Sequence, residues 1–230
     1  KGADVGFLTG QEKRGVVFHD RNGKERECLE LLKNDYQMSA IRMRVWVDPR
    51  GGTNDKHELL AMAKRAKALG MDLMVDFHYS DSWADPAKQP IPKAWLGHSY
   101  EEMKQDLRAH TIDVLTLLKD NGITPRWVQV GNETNSGMLH PIGKIGSDAT
   151  NFAILANKGY DAVKSVYPEA KVIIHRSEGH KANECKWLFN LLKTSKVKYD
   201  IIGLSLYPTW WENNGWCAWK PNVDACIENI

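Results

Sequence analysis

The chain has 230 residues, of which 42% are hydrophobic and 26% charged, with a formal net charge of +2. This balance is typical of a globular protein, and it does not predict a basic surface for nucleic acid or for an anionic membrane. No apolar run in the sequence is long enough to cross a bilayer. Nine tryptophans are the unusual feature, and they suit either core packing or a groove with flat aromatic faces.

Short β-branched runs alternate with longer amphipathic stretches, which predicts alternating strands and helices. In chain order the sequence predicts a strand at 3–8, a helix at 25–34, a strand at 40–47, a helix at 57–68, a strand at 72–77, a helix at 100–121, a strand at 127–130, a helix at 150–166, a strand at 172–175, a helix at 183–193 and a strand at 201–206. This alternation indicates parallel strands joined by right-handed crossovers. No glycine-rich phosphate loop follows the first strand, which disfavours a nucleotide-binding sheet.

Polar and aromatic side chains concentrate where the predicted strands end. In chain order they are Arg42, Arg44, Trp46, Asp76, His78, Asp81, Trp83, Asp85, Asn132, Glu133, His175, Ser205 and Tyr207. A (β/α)8 barrel builds its active site at the carboxyl ends of its strands, because the βα loops converge there. The pattern therefore predicts an α/β fold of the TIM-barrel type, with about the first six of eight βα units present. We expect residues 1–230 to form a single catalytic barrel domain that stops before strand seven.

Glu133 ends the run Trp-Val-Gln-Val-Gly-Asn-Glu, in which an apolar strand leads to two polar side chains. A carboxyl group in a partly dry cleft has a raised pKa and can donate a proton to a leaving glycosidic oxygen. Asn132 suits a hydrogen bond to a sugar hydroxyl. The alternative is a structural Glu133 that pairs with Arg42 or Arg44, but the other strand-end residues favour catalysis.

A metal-dependent barrel hydrolase is an alternative interpretation of four strand-end residues, namely Asp76, His78, Asp81 and His175. We disfavour it because no pair has the spacing of a zinc-binding helix. Among the four cysteines no pair is spaced as CxxC, and the sequence leaves open whether Cys217 and Cys226 form a disulfide. Four tryptophans in a predicted loop suggest a ligand platform: Trp210, Trp211, Trp216 and Trp219.

Five segments together resemble one family. They are Lys1-Gly-Ala-Asp-Val, Ile41-Arg-Met-Arg-Val-Trp-Val-Asp-Pro, Asp76-Phe-His-Tyr-Ser-Asp-Ser-Trp-Ala-Asp-Pro, Val130-Gly-Asn-Glu followed by Gly137-Met-Leu and Pro141, and Gly203-Leu-Ser-Leu-Tyr-Pro. The chain resembles glycoside hydrolase family 53, the arabinogalactan endo-β-1,4-galactanases, over essentially its whole length. The run that begins at Asp76 is the most specific segment.

The resemblance implies a (β/α)8 barrel that cleaves β-1,4-galactan, a side chain of pectin, internally and with retention by double displacement. It makes Glu133 the general acid/base and Asn132 its hydroxyl-binding neighbour, and it places Trp83 as a stacking platform on the non-reducing side of the cut. Arg42 would hold the nucleophile, and Tyr207 would donate a hydrogen bond to it. We place His78, Asp81 and His175 among the substrate-binding residues as well.

Three departures from the family pattern stand out. His140 takes the place of a tryptophan before Pro141, and the run from His175 reads His-Arg-Ser-Glu-Gly where the family reads His-Leu-Asp, a polar residue and Gly. The nucleophile, a glutamate that ends strand seven in the family, is expected beyond residue 230. Glu178 is the best substitute by position, but the resemblance assigns it to a substrate-binding loop.

Two rival functions remain open at this point: a mannanase or cellulase of the same clan, and a non-catalytic galactan-binding barrel. We expect no required cofactor, although the family can carry a structural calcium in loops beyond this chain. The expected partners are β-1,4-galactan and galacto-oligosaccharides, without nucleic acid, and the expected state is a monomer. A polymeric substrate and an apparently removed leader predict a secreted, extracellular or cell-surface enzyme.

Overall fold

The computed structural model describes residues 1–207, 224, 226 and 227. Over these residues the elements are, in chain order, β1 (Gly2–Asp4), α1 (Leu8–Lys13), β2 (Phe18–His19), β3 (Glu25–Arg26), α2 (Cys28–Asn34), β4 (Ala40–Val45), α3 (Lys56–Ala68), β5 (Asp72–Phe77), α4 (Tyr100–Asp120), β6 (Trp127–Val130), β7 (Gly137–Met138), β8 (Gly143–Lys144), α5 (Thr150–Val166), β9 (Lys171–Arg176), α6 (Ala182–Thr194) and β10 (Ile201–Leu204). Single 3-10 turns cover Arg50–Gly52, Lys93–Trp95 and Thr134–Ser136. Within the described residues, no helix is both long enough and apolar enough to cross a membrane.

Six strands form one sheet in the order β1-β4-β5-β6-β9-β10, and every neighbouring pair in it is parallel. At least one helix lies between each consecutive pair of these strands along the chain. The register sets Asp76 of β5 opposite Arg44 of β4 and Gln129 of β6. These are consecutive βα units of a (β/α)8 barrel, as the sequence predicts, and the carboxyl ends of the six strands share one edge.

The first predicted strand is wrong in extent. β1 covers only Gly2–Asp4, and α1 begins at Leu8, inside the range predicted as strand. The reason is local, since the Asp4 carboxylate accepts the Gly6 backbone N–H at 3.0 Å and turns the chain away from the sheet. The predicted helix at 25–34 begins only at Cys28, because Glu25 pairs with His19 in the small β2–β3 ribbon.

The two faces of the sheet differ in chemistry. Ile41, Met43 and Val45 of β4 are essentially inaccessible and belong to the main apolar core. Arg42 and Arg44 alternate with them and therefore point to the opposite face, which becomes the barrel interior. On the outer face α5 lies close against β6, since a Cβ at Gly159 would lie 2.6 Å from Val130 Cγ1.

Capping residues fix where α3 and α4 start. Ser99 precedes α4, and its hydroxyl accepts the Glu102 N–H while the Glu102 carboxylate accepts the Ser99 N–H, which forms a capping box. Asp55 caps α3 by accepting two backbone N–H groups. With their starts fixed, α3 and α4 pack against each other and hold the outer layer of the barrel around β4 and β5.

Candidate active site

A buried ionic centre lies beneath the carboxyl ends of β4 and β5. The Arg42 guanidinium lies 2.7 Å from the Asp76 carboxylate and also pairs with Asp4 at the end of β1. His78 Nε2 lies 2.9 Å from the same Asp76 oxygen. Burial alone would raise the pKa of Asp76, but Arg42 and His78 outweigh it, so the net pKa lies below the ordinary value. Asp76 is therefore a fully buried carboxylate that keeps its charge.

Two side-chain amides extend this centre toward β6. Gln129 donates from Nε2 to Asp76 and accepts from Arg42 at Oε1, which fixes the orientation of its amide. Asn132 accepts from Arg42 at 3.0 Å and donates from Nδ2 to the Ala84 carbonyl at 2.8 Å. Asn132 is thus held in one orientation by Arg42, Gln129 and the loop after β5.

Glu133 follows Asn132 directly and is half buried. Its backbone has φ 48° and ψ 51°, the left-handed region, which costs a non-glycine residue about 1–3 kcal/mol. The Glu133 carboxylate accepts the Ser205 hydroxyl at 3.1 Å. Burial raises the pKa of Glu133, and Asp85 adds to the rise, while Ser205 and Arg42 oppose it. A carboxyl group with a raised pKa can keep its proton for donation.

Gln89 and His175 support the same turn. Gln89 donates from Nε2 to the carbonyls of Asn132 and Glu133, at 2.9 and 3.3 Å. His175 of β9 accepts the Glu133 N–H at Nδ1 over 3.0 Å, and the residue is buried. The structure therefore brings His175 into the cluster, where it contacts the backbone of Glu133.

An aromatic surface lies beside the ionic centre. Trp83 is 39% exposed as a residue, and the Arg44 guanidinium lies 4.1 Å from its ring centroid. Phe7 contacts the same guanidinium at 4.4 Å, and Trp46 meets Trp83 edge to face at 6.1 Å. Arg44 is itself fixed by Asp4 and Asn54. Trp83 therefore presents an accessible face on a rigid support, which suits stacking against a sugar ring.

Two other residues predicted to bind substrate, His78 and Asp81, form hydrogen bonds with other groups of the protein. His78 is buried, and while Nε2 faces Asp76, Nδ1 accepts the Ala84 N–H at 3.1 Å. Asp81 accepts backbone N–H groups of Asp48 and Lys93 with its two oxygens, at 3.0 and 2.7 Å. His78 thus lies within the cluster, whereas Asp81 ties together the loops around it.

Tyr207 lies just past β10, with half of its surface exposed. Burial of the other half raises the pKa of its hydroxyl, and the negative charge of Glu133 adds to the effect. Tyr207 lies two residues after Ser205, whose hydroxyl donates to the Glu133 carboxylate.

Other sequence-based candidates fall elsewhere. Glu178 forms an ion pair with Lys181 at 2.7 Å. Within the described residues, no group of three or more His, Cys, Asp and Glu side chains could hold a metal ion, so the four residues considered as metal ligands do not form such a site. Cys226 is a free thiol. The remaining candidates lie outside the described residues: Trp210, Trp211, Trp216, Trp219 and Cys217.

Sequence reasoning missed three members of the cluster, Asp4, Gln89 and Gln129, and it placed Ser205 at a strand end without predicting its hydrogen bond to Glu133. Gln129 had a usable signal, because an amide in the middle of the apolar run of β6 needs a buried hydrogen-bond partner. Asp4 gave no such signal, because the strand predicted at 3–8 places it near the start, whereas β1 in fact ends at Asp4. Gln89 lies in an irregular loop and gives no signal in the sequence.

Comparisons with known proteins agree with this geometry. The family model of glycosyl hydrolase family 53 matches residues 1–225. A protein of Niallia circulans, described as uncharacterized and encoded in the bgaB 5' region, is 42% identical over 236 residues, covering 100% of this chain and 62% of the relative. An endo-β-1,4-galactanase of Bacillus subtilis is 36% identical over 218 residues, which is 91% of this chain and 49% of the relative.

A solved structure gives the same result. The chain is similar to the family 53 catalytic domain of Ignisphaera aggregans, with a TM-score of 0.88 and 34% identity, covering 100% of this chain and 65% of that one. The chain thus spans about half to two thirds of the length of these relatives. The family match covers nearly all of the chain, and the matched structure has the barrel fold described above. The chain belongs to glycosyl hydrolase family 53.

Proposed function

We propose that the protein hydrolyses internal β-1,4-galactosidic bonds of galactan with retention, and that Glu133 is its general acid/base. The observation that carries this proposal is the half-buried Glu133 carboxyl at the end of β6, whose pKa burial raises. Family membership and the galactanase from B. subtilis support the choice of galactan.

The first half of the reaction requires a proton on the leaving oxygen. Protonated Glu133 donates it while a second carboxylate attacks the anomeric carbon and forms a covalent glycosyl-enzyme. In the second half, the Glu133 carboxylate removes a proton from the attacking water. We assign the second carboxylate to the glutamate that the family resemblance implies at the end of barrel strand seven, beyond residue 230.

The substrate side of the cleft uses two groups. The Asn132 amide, held by Arg42, hydrogen-bonds a sugar hydroxyl next to the scissile bond, and this bond strengthens at the transition state. The exposed face of Trp83 stacks on a galactose ring on the non-reducing side. We assign Arg42 to holding the nucleophile, as the family resemblance implies, and its ion pairs with Asp4 and Asp76 fix its position.

The full-length protein tests this proposal. We expect reducing sugar to be released from potato galactan and much less from mannan or carboxymethylcellulose. We also expect the first product seen by proton NMR to be the β-anomer, which is the signature of retention. Equal release from all three polymers would overturn the galactan assignment, and binding of galactotetraose without turnover would identify a non-catalytic barrel.

The proposal has four further parts, which concern the domain, the place of action, the oligomeric state and cofactors. Residues 1–230 form one catalytic barrel domain together with the later units of the barrel. The enzyme acts outside the cell, where galactan is available, and works as a monomer. The chemistry needs no cofactor, since two carboxylates suffice, and undiminished galactan hydrolysis after chelation would be the expected result.

A further inference from the structure

The backbone of Glu133 needs an external support. Its left-handed conformation, at φ 48° and ψ 51°, is one that L-residues other than glycine rarely adopt. Gly131, two residues earlier, is also left-handed, at φ 83°, so the chain turns sharply between β6 and the 3-10 turn at Thr134–Ser136. Such a conformation persists only where surrounding contacts hold it.

Three hydrogen bonds join this turn to β9 and the residue after it. The Thr134 hydroxyl donates to the His175 carbonyl at 2.9 Å, and the Ser177 N–H donates to the Asn135 side chain at 2.9 Å. The third runs from the Glu133 N–H to His175 Nδ1 at 3.0 Å. Of the three, this is the bond made directly to the backbone of Glu133, and it depends on a side chain of β9.

The network identifies the tautomer of His175. Nδ1 lies near the Glu133 backbone N–H. It also lies 3.3 Å from Nε2 of Gln129 and 3.0 Å from the side-chain oxygen Oδ1 of Asn132. Glu133 N and Gln129 Nε2 can only donate, whereas Asn132 Oδ1 already accepts from Arg42 and Gln129. A proton on Nδ1 would leave the Glu133 N–H facing another donor. Nδ1 therefore carries the lone pair, and the proton resides on Nε2.

The surroundings keep the ring neutral. The pKa of His175 is lowered to about 4, mainly by burial. Asp76 acts to raise this pKa, whereas Arg42 and His78 lower it further. The imidazole is therefore an acceptor at neutral pH.

We propose that His175 is a positioning residue, which holds the Glu133 backbone through Nδ1 and so aims the carboxyl group at the glycosidic oxygen. This inference rests on the proposed role of Glu133 as acid/base. It differs from a substrate-binding role for His175, because the acceptor nitrogen is directed at the protein backbone. The consequence is specific: replacing His175 with a residue that lacks the acceptor atom should weaken proton donation by Glu133 and leave galactan binding intact.

Two substitutions in the full-length enzyme separate these roles. His175→Asn keeps an acceptor oxygen close to the position of Nδ1, whereas His175→Leu fills similar space without an acceptor. We expect His175→Leu to lower kcat/KM on galactan about 10- to 100-fold with little change in KM, since small misplacements of catalytic groups cost about that much. His175→Asn should stay within about threefold of the wild type.

An aryl β-galactobioside with a very good leaving group supplies the second readout. Its departure needs no acid, so kcat/KM on this substrate should change less than about threefold in both variants. Equal losses in both variants on galactan, or equal losses of His175→Leu on both substrates, would overturn the proposal. A wild-type enzyme inactive on galactan would instead overturn the proposed function.

A measurement on the wild type covers the case in which His175→Leu does not fold. In protein labelled with 15N-histidine, we expect the Nδ1 resonance of His175 to lie in the range of an unprotonated imidazole nitrogen and Nε2 in the protonated range. The His175→Asn variant assigns the signal by its disappearance. A protonated Nδ1 at neutral pH would overturn the proposal irrespective of any activity.

Discussion

Replacing Asp76 with asparagine should destabilise the folded protein, because it breaks the buried ionic centre of the candidate site. Asp76 accepts from Arg42 and His78 at one oxygen and from Gln129 at the other. Asparagine removes the charge and turns an amide N–H₂ toward one of these donors. Breaking a buried ion pair by removing one partner costs about 3–5 kcal/mol, and Asp4 still pairs with Arg42, so we expect the lower half of that range.

The assay is thermal denaturation of the full-length protein at neutral pH. At about 2–4 °C per kcal/mol for 150–250 residues, and less for a longer chain, Asp76→Asn should lower Tm by up to roughly 15 °C. Asp72→Asn in the same strand is the matched control, because Asp72 forms an exposed pair with Arg126 at 2.7 Å and such pairs contribute about 0–1 kcal/mol. A Tm for Asp76→Asn equal to that of Asp72→Asn would refute the reasoning.

The pH dependence supplies a second check on the same variant. The pKa of Asp76 is lowered in the folded protein, so its stabilising contribution is complete above the ordinary carboxyl pKa and is lost as the pH falls through the folded pKa. The stability gap between the wild type and Asp76→Asn should therefore be constant near neutrality and narrow below about pH 4. A gap that widens in acid would contradict the charge assignment.

Three further variants test separate features. Trp83→Ala should raise the Kd for galactotetraose, measured by calorimetry, and change kcat little, because stacking acts on ground and transition states alike; a selective loss of kcat would contradict this. Ser99→Ala should destabilise the protein by about 1 kcal/mol in a melting experiment through loss of the α4 cap, and Ser99→Asp should restore it. Gly159→Ala should cost about 1–3 kcal/mol in the same assay, since its Cβ would meet Val130; unchanged melting would contradict the close packing.

The sequence predicts the barrel well where strands are buried on both faces. The runs at 72–77 and 127–130 coincide with β5 and β6, because apolar runs bounded by polar ends have few alternative structures. The first strand was predicted too long, since the turn at Gly6 depends on a side-chain hydrogen bond from within the same short run. The two-residue strands of the β2–β3 ribbon are too short to produce a periodic pattern.

In the candidate site, too, the sequence predicts the positions of residues better than it predicts their contacts. Position at a strand end identifies Asn132, Glu133 and His175 as neighbours, because parallel strands bring their carboxyl ends together. What each side chain contacts depends on tertiary hydrogen bonds that no pattern in the sequence encodes. Asp81 illustrates this point, because both of its oxygens are used by backbone N–H groups of distant loops.

The most direct test of the central claim is Glu133→Ala in the full-length enzyme, assayed with and without azide. We expect galactan hydrolysis to be nearly abolished, while kcat/KM on an aryl β-galactobioside with a very good leaving group is largely retained. Azide, which needs no general base, should then restore turnover of the aryl substrate and yield a β-galactobiosyl azide. Equal losses on both substrates, with no azide product, would contradict the assignment of Glu133 as the general acid/base.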